Sequence, residues 1–536
     1  MEKRTLLALA LSFLVLGFYP VILQKFYPDY YKKTSALAKK TAPTSAQRAD
    51  TVEKLVNAGS FLLEQDLGFQ STSSALVFNK QDGGVREISF PRFPDSETSR
   101  PIRFVSLKNS GVSTGSLVLS SGEDSSLVKG YSGQVTGHEA VFTAPALGGR
   151  LDVMKSFAFG DEYDGTFKLR LQNASDQPLE LSYELVVGSG VVARHSIDAQ
   201  YIEANFFSEH DGKKNLRHVK ESRTGKRVAS PAAVQWVSVK DRHFSVILKP
   251  KQGEFTGLVH GLGGRDFSAS LVSSKLTLPP RSSLEQEFLL YIGPNEIERL
   301  EPLGLGELVN FGKFDLIGKL CVGALELLQK VCRNYGLAII ALTTLINVML
   351  FPLTRVSDMS MKRMQLIQPQ ITKLREQHKK SPDKLNKEMM ELYRKHKVNP
   401  FGGCVPMVLQ IPIFISLYAA LSKSVILINS RFLWVKDLSS PDRVYLPFSL
   451  PFLGNYIHLL PLLMVGAMVL QQKLTQIKTD GQDPAMAAQQ KMMAVMMPIV
   501  FGFIFYQMPS GLVVYWLTNT VLMSLYQLRI KNMTLT

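Results

Sequence analysis

The chain has 536 residues, of which 45% are hydrophobic, and a formal net charge of +16, which is enough length for two or three domains. Between Asp29 and Asn310 the 33 Lys and Arg residues are balanced by 33 Asp and Glu residues, so the excess charge lies in the C-terminal portion, beside apolar runs. Basic loops next to apolar runs of bilayer length are typical of a protein that crosses a membrane several times, and this placement argues against a DNA partner.

The N-terminal segment, residues 1–28, is predicted to be a transmembrane anchor. Lys3 and Arg4 precede a charge-free run from Thr5 to Gln24, which places the N-terminus in the cytoplasm. A cleaved signal peptide is the alternative, but a small-residue cleavage pattern occurs only far downstream, around Ala36. Residues 29–58 are rich in Lys, Thr, Ser and Ala and are predicted to be a linker.

Residues 59–310 are predicted to form an all-β sandwich domain on the periplasmic side. Short β-type runs such as Leu181–Val187 and His243–Leu248 are separated by Gly, Asp, Asn and Ser clusters. All three cysteines lie outside this region, so it needs no disulfides. Since no Cys/His spacing or nucleophile motif stands out, we expect no catalytic residues, no metal site and no cofactor.

Residues 311–333 have helical spacing of apolar positions with interspersed charges, and predict an interfacial amphipathic helix. Four charge-free runs follow it, at 334–354, 398–422, 444–472 and 492–528. Pro509-Ser-Gly511 cuts the last run into two spans, so with the anchor the chain is predicted to have six spans and both termini in the cytoplasm. The five predicted spans are 334–354 (TM2), 398–424 (TM3), 446–473 (TM4), 491–508 (TM5) and 511–529 (TM6). A periplasmic loop at 425–445, a cytoplasmic loop at 474–490 and a short cytoplasmic tail at 530–536 complete the prediction.

The loop at 355–397 is the most basic part of the chain, with twelve Lys and Arg residues against five Asp and Glu residues, and is therefore predicted to be cytoplasmic. Apolar residues recur in it at helical intervals, and Ser381 before Pro382 is a helix-start signal. A helical hairpin with one apolar and one basic face is favoured over a solvated linker. Its predicted basic residues are Lys362, Arg363, Lys373, Lys379, Lys380, Lys384, Lys387 and Arg394.

Polar residues inside the predicted spans are costly in lipid unless they contact protein or water. Thr343 and Asn347 are four residues apart and share one face of the second span. Tyr515 and Asn519 do the same on the sixth, and Gln410 lies in the third. These residues indicate either a hydrated groove inside the bundle or single hydrogen bonds to neighbouring helices and backbone. Spacing alone leaves both interpretations open.

The C-terminal half contains a series of long ordered motifs. They are Asn399-Pro-Phe-Gly-Gly-Cys-Val-Pro-Met-Val-Leu-Gln-Ile-Pro-Ile-Phe-Ile-Ser-Leu-Tyr418, Phe351-Pro-Leu-Thr354, Gln368-Pro-Gln370, Glu388-Met-Met-Glu-Leu-Tyr393, Asp483-Pro484, Gln489-Gln-Lys-Met-Met493 and Met508-Pro-Ser-Gly-Leu-Val-Val-Tyr515. With these motifs the chain resembles the YidC/Oxa/Alb family of membrane protein insertases. The resemblance implies a membrane α-helical bundle of six spans, five of them forming the insertase core. The large domain after the first span is similar in placement and strand content to the periplasmic β-sandwich of the Gram-negative branch.

The resemblance also implies a function and partners in the bacterial inner membrane. A polar groove, open to cytoplasm and lipid, would receive a hydrophilic segment of a nascent membrane protein, alone or with the Sec translocon, without nucleotide. Motif alignment places Thr343 and Trp516 at client-contacting positions, with Tyr515 adjacent. The predicted groove residues are Thr343, Asn347, Gln410, Tyr515, Trp516 and Asn519.

Two departures from the family pattern affect these expectations. Asn347 stands where the family usually has a groove arginine, so attraction of acidic client segments by a guanidinium is not expected here. The tail after the last span carries only Arg529 and Lys531, so contact with the ribosome or targeting factors is assigned to the cytoplasmic loops. A polytopic channel or carrier and a membrane-anchored periplasmic enzyme or binding protein are the alternative functions.

Overall fold

The computed structural model describes residues 66–531 with internal gaps. The gaps are residues 97, 106–111, 122–123, 190, 192, 194–197, 221–225, 264–265, 379–380, 397, 399–404, 451–453 and 476–483. The predicted anchor at 1–28, the predicted linker at 29–58, the basic residues Lys379 and Lys380, and residues 532–536 of the predicted tail lie outside the described residues.

Asp66–Pro294, called the β-domain below, contains twenty antiparallel strands within its described residues. Four form a first sheet in the order β1-β2-β3-β4, namely β1 Asp66–Gln70, β2 Ala75–Asn79, β3 Gly84–Pro94 and β4 Pro101–Val105. Nine form a second in the order β13-β12-β15-β16-β20-β10-β9-β8-β7, namely β7 Ser132–Thr136, β8 Glu139–Ala146, β9 Leu151–Phe159, β10 Asp164–Asn173, β12 Glu203–His210, β13 Lys213–Val219, β15 Trp236–Lys240, β16 Phe244–Pro250 and β20 Ser283–Pro294.

A seven-stranded sheet completes the β-domain, in the order β14-β17-β18-β11-β5-β6 with β19 paired to β11. Its strands are β5 Leu117–Ser121, β6 Asp124–Leu127, β11 Leu179–Ser189, β14 Arg227–Ala233, β17 Phe255–Gly263, β18 Asp266–Ser273 and β19 Leu276–Leu278. Strands such as β9 alternate buried and exposed residues, as expected for a sheet with one face in a core. Phe255 and Phe288 join the two large sheets, with ring centroids 5.5 Å apart, so the predicted β-sandwich is present.

The helical region begins after the sandwich with α1 (Ile297–Leu300) and α2 (Asp315–Cys332). The helix α2 corresponds to the predicted interfacial helix at 311–333, although it starts four residues later. Short 3₁₀ helices occur at Leu147–Gly149, Asp198–Tyr201, Gly306–Leu308 and Val425–Leu427.

Five apolar helices follow: α3 (Tyr335–Leu366), α6 (Val405–Lys423), α7 (Leu459–Thr475), α8 (Pro484–Phe505) and α9 (Ser510–Lys531). A shared apolar core joins residues of α2, α3, α6, α7, α8 and α9, among them Leu325, Leu342, Leu417, Met464, Phe505 and Leu512. Among the described residues, α3 over Tyr335–Met364 is long and apolar enough to cross a membrane, and Leu409–Lys423, Leu459–Leu474 and Val495–Phe505 are shorter apolar stretches. The count of six spans therefore stays a prediction.

Several predicted boundaries differ from the structure. The helix α8 begins at Pro484, seven residues before the predicted fifth span and inside the predicted cytoplasmic loop at 474–490. The helix α3 continues twelve residues beyond the predicted end of the second span at 354, because the charges after Thr354 end the apolar pattern without ending the helix. The predicted fourth span begins at 446, yet residues there form a β-hairpin of β21 (Val444–Leu450) and β22 (Gly454–Ile457). The helix α7 begins only at Leu459.

The basic loop contains the two helices of the predicted hairpin, α4 (Gln368–Gln377) and α5 (Pro382–Lys395). Pro382 is the first residue of α5, as the helix-start signal predicted. His378 at the end of α4 lies 3.1 Å from the carboxylate of Glu388 on α5. This contact brings the two helices together.

Candidate functional site

The polar pair on α3 makes two different kinds of hydrogen bond. The hydroxyl of Thr343 is fully buried and donates to the carbonyl of Ile339 at 2.6 Å, within its own helix. The amide nitrogen of Asn347 donates to the carbonyl of Thr343 and also to Oδ1 of Asn519 on α9, both at 2.9 Å. The backbone-bonding alternative therefore describes Thr343, whereas Asn347 and Asn519 link two helices.

A second side-chain bond links α9 to α6. The amide nitrogen of Gln410 donates to the hydroxyl of Tyr515 at 2.5 Å, and Tyr515 is buried against the helix core. Since Tyr515 and Asn519 are one turn apart on the same face, one face of α9 is hydrogen-bonded to both α3 and α6. Four of the six predicted groove residues thus form two hydrogen-bonded pairs, Asn347 with Asn519 and Gln410 with Tyr515.

Trp516 is held by aromatic rings instead of polar groups. Its ring centroid lies 5.0 Å from that of Phe414 on α6, and 5.3 Å from those of Phe501 and Phe505 on α8. Sequence reasoning did not select these three phenylalanines. Aromatic residues in an apolar run carry no spacing that distinguishes a ring cluster from ordinary core packing.

The described basic residues of the hairpin are largely exposed. Arg363, Lys373, Lys384, Lys387 and Arg394 are solvent-exposed, and Lys362 is partly buried. On α5 the basic positions Lys384, Lys387 and Arg394 are separated from the partly buried Leu385, Met389 and Leu392. This division is the one predicted for a helix with a basic face and an apolar face.

A buried contact that sequence reasoning missed joins the β-domain to the end of α6. Arg242, between β15 and β16, donates to the carbonyl of Ser422 at 2.5 Å and to the carbonyl of Ser439 at 2.9 Å. It also lies 3.2 Å from Asp198 with both side chains almost fully buried. Val425 and Ile428, which closely follow the end of α6, belong to the apolar core of the β-domain. The end of α6 is therefore anchored in the sandwich.

Comparison with known proteins assigns both halves of the chain. A family model described as the 60Kd inner membrane protein matches residues 327–535, and one described as the YidC periplasmic domain matches residues 70–322. The chain is 31% identical to a membrane protein insertase YidC from Pelobacter propionicus over 97% of both chains, and 31% identical to one from Citrifermentans bemidjiense over 99% of both.

The chain belongs to the YidC family of membrane protein insertases.

The YidC family accounts for the two-part architecture. A YidC insertase crystal structure with its first transmembrane domain resolved covers 91% of this chain and is itself covered in full, at 20% identity and a TM-score of 0.37. A YidC-type inner membrane protein with a periplasmic β-sandwich domain and a helical C-terminal region was predicted from sequence, and family membership confirms it. The roles of the six groove residues and of the basic hairpin stay predictions.

Asn347 lies at the predicted groove position of this YidC chain. In the structure its side chain is neutral, partly buried and hydrogen-bonded to a second neutral amide, Asn519. The nearest basic residue toward the end of the apolar part of α3 is Arg355, eight residues further on, or about 12 Å along the helix. The polarity at this point of the bundle therefore comes from amides.

Proposed function

We propose that this protein inserts nascent membrane proteins, and assists their folding, by receiving a polar client segment between α3, α6 and α9. The observation that carries the proposal is the pair of side-chain bonds, Asn347 to Asn519 and Gln410 to Tyr515, within otherwise apolar helices. Each of these amides has a side-chain partner while no client is present, which lowers the cost of placing a polar group in hydrocarbon.

A client segment can exchange these bonds for bonds to its own backbone. Its polar groups then meet amides partway across the bilayer, so the effective hydrocarbon barrier is shorter. Burial of about twenty apolar residues of the client helix in lipid supplies the favourable free energy. The process is non-enzymatic and needs no nucleotide or other cofactor.

Reconstitution tests this function directly. Purified protein in liposomes, with a client of one or two spans, should give protease-protected client, and empty liposomes should give much less. Photo-crosslinking from position 516 to a stalled nascent chain tests the site separately. If position 516 reaches only lipid while the client crosslinks elsewhere, the site assignment fails even though the family is secure.

The proposed topology has six spans, with the N- and C-termini and the hairpin in the cytoplasm and the β-domain in the periplasm. In a background with Cys321, Cys332 and Cys404 replaced by serine, cysteines at Ser381 and Thr479 should be labelled only from the cytoplasm. A cysteine at Ser120 in the β-domain should be labelled only from the periplasm. Labelling of position 381 from the periplasm would exclude this arrangement.

The hairpin is proposed to contact the ribosome, targeting factors or anionic headgroups, with the Sec translocon as a further partner of the protein. Each Lys or Arg near an anionic surface contributes about 1 kcal/mol. Reversal of Lys379, Lys380, Lys384 and Lys387 to Glu should therefore weaken binding to ribosomes or anionic vesicles by about tenfold or more, and reduce client insertion.

A matched control separates this effect from net charge. Lys129, Lys168, Lys213 and Lys275 are exposed residues of the β-domain, and their reversal to Glu changes the net charge equally. We expect that variant to insert clients like the unmodified protein. Equal insertion by both variants would show that the basic face of the hairpin has no role.

A further inference from the structure

The helix α2 exposes a continuous apolar stripe. Leu316, Leu320, Leu327 and Val331 are all more than 60% exposed and lie on one side of the helix, because each is about one or two turns from the next. Cys321, Val322 and Leu325 are buried on the opposite side. A stripe of this kind indicates a helix that packs on protein with one side and faces lipid with the other.

Charged residues lie along the edge of α2 between these two apolar sides. Glu326 and Lys330, four residues apart on this edge, help to line a cavity of about 240 Å³. The other walls come from residues that follow β20, including Asn295 and Glu298, and from the end of α6, including Lys423. The cavity is thus next to the exposed stripe and contains side chains of both charges.

Hydrogen-bond acceptors are in excess among some of the polar groups of the cavity. Burial and a hydrogen bond with Glu298 raise the pKa of Glu326 to about 7. Oδ1 of Asn295 is buried and has no donor among the described residues. The carboxyl groups of Glu298 and Glu326, together with Oδ1 of Asn295, favour a ligand with several N–H donors and a positive charge.

The two lysines supply the opposite charge. Nζ of Lys423 donates to the carbonyl of Asn310 at 2.7 Å, which leaves two of its three N–H groups for other acceptors. Lys330 is exposed at the rim of the cavity. A ligand that carries an anionic oxygen a few bonds from an ammonium group would complement both sets.

We propose that this cavity binds the zwitterionic headgroup of a phospholipid that carries a primary ammonium and a phosphate, with the acyl chains covering the exposed stripe of α2. The ammonium would lie against Glu298, Glu326 and Asn295, and the phosphate against Lys330 and Lys423. A choline headgroup has no N–H to donate, and a purely anionic headgroup would meet the two carboxyls. The proposal rests on the proposed function only in taking α2 to lie at a membrane surface.

Native mass spectrometry of the full chain in detergent tests the site. Phosphatidylethanolamine, phosphatidylcholine and phosphatidylglycerol with identical acyl chains are compared. We expect phosphatidylethanolamine to be retained about tenfold more strongly than phosphatidylcholine, since hydrogen bonds to charged groups distinguish them. The double variant Glu298→Gln and Glu326→Gln should remove this preference. Lys330→Gln should weaken the binding of phosphatidylethanolamine and of phosphatidylcholine equally, because both lipids carry the phosphate.

The control variant carries Glu301→Gln and Lys313→Gln, exposed changes outside the cavity lining, and should bind like the unmodified protein. Equal retention of all three lipids, or an unchanged preference in the double glutamine variant, would overturn the proposal. Displacement of the lipid by an equal concentration of soluble phosphoethanolamine would overturn the assignment to a lipid source. Client insertion is measured after the same purified protein has been reconstituted into liposomes. Absence of insertion by the unmodified protein, with an intact lipid preference, would count against the proposed function alone.

Glu326 also predicts a pH dependence of stability. Its pKa is about 7 in the folded protein and 4.5 for the isolated group, so the folded state holds the proton more tightly and loses that stabilisation as the pH rises from about 4.5 to about 7. Glu296, Glu298, Lys330 and Lys423 are the charged groups around it. The melting temperature should fall between pH 5 and pH 8 by more in the unmodified protein than in Glu326→Gln. An equal fall in both proteins would contradict the assignment of this dependence to Glu326.

Discussion

Replacement of both Asn347 and Asn519 by leucine is expected to reduce insertion of clients with polar translocated segments by about tenfold or more, since each unmet client polar group costs several kcal/mol in hydrocarbon. Clients with short apolar translocated segments should insert nearly as before. Exchange of both partners of a hydrogen bond for apolar groups is close to neutral for stability. The double variant should therefore accumulate in the membrane normally, which separates a loss of function from a loss of folding.

Single variants give the matched controls for this experiment. Asn347→Leu alone removes the donor that Oδ1 of Asn519 accepts, and should lower stability by about 1–3 kcal/mol. Thr343→Val removes a hydroxyl that bonds only its own helix, so a small effect on insertion is expected. A double leucine variant that inserts polar clients at the normal rate would show that the amide pair does not contact clients.

The converse substitution tests charge selectivity. Asn347→Arg introduces a guanidinium that is always ionised and binds carboxylates in a bidentate manner. In this variant, insertion of clients with acidic translocated segments should exceed insertion of neutral clients of equal length. The unmodified protein should insert the two kinds of client equally well. Preference of the unmodified protein for acidic clients would place an attracting positive charge elsewhere in the chain.

Replacement of Arg242 by alanine is expected to lower the free energy of unfolding by about 3 kcal/mol or more, because the change breaks a buried ion pair. It removes the contact with Asp198 and the hydrogen bonds to the carbonyls of Ser422 and Ser439. The last two bonds hold the β-domain to the end of α6. Denaturant unfolding of the full chain and limited proteolysis near residue 439 measure the two consequences.

Arg281 provides the comparison for this prediction. It forms a 2.9 Å pair with Asp176 on the surface, where both side chains are more than 60% exposed. Such pairs contribute at most about 1 kcal/mol, so Arg281→Ala should change stability little and leave the proteolysis pattern unchanged. Similar losses in the two variants would mean that Arg242 does not fix the junction.

Periodicity and charge were sufficient to predict the elements that have a clear amphipathic or turn signal. Pro382 predicts the start of α5, and the mixed apolar and charged positions of α2 predict an amphipathic helix. Both predictions use only residues that are neighbours in the sequence. The β-hairpin of β21 and β22 was assigned largely to the fourth span because its sequence is charge-free. Hydropathy alone does not distinguish an apolar strand from the start of an apolar helix.

The candidate site was predictable along each helix but not between helices. The four-residue spacing of Thr343 and Asn347 placed them on one face, yet gave no sign that only Asn347 bonds across to α9. The partners of Asn347 and Gln410 are 172 and 105 residues away in sequence. Such pairings depend on how helices pack, and the same holds for Arg242, whose burial opposite the end of α6 has no local signature.

The junction at Arg242 has a consequence for the order of events during synthesis. Its carbonyl partners lie 180 and 197 residues further along the chain, and Val425 and Ile428 complete the core of the β-domain. At a translation rate of about 5–20 residues per second, the ribosome reaches these partners roughly ten to forty seconds after it has passed Arg242. During that interval the exported sandwich has an unfilled core position, and Arg242 is paired with Asp198 but has neither of these carbonyl partners. Maturation of the β-domain therefore ends only after α6 has been synthesised, so under the proposed topology the last folding step of this protein depends on the insertion of its own helix into the bilayer.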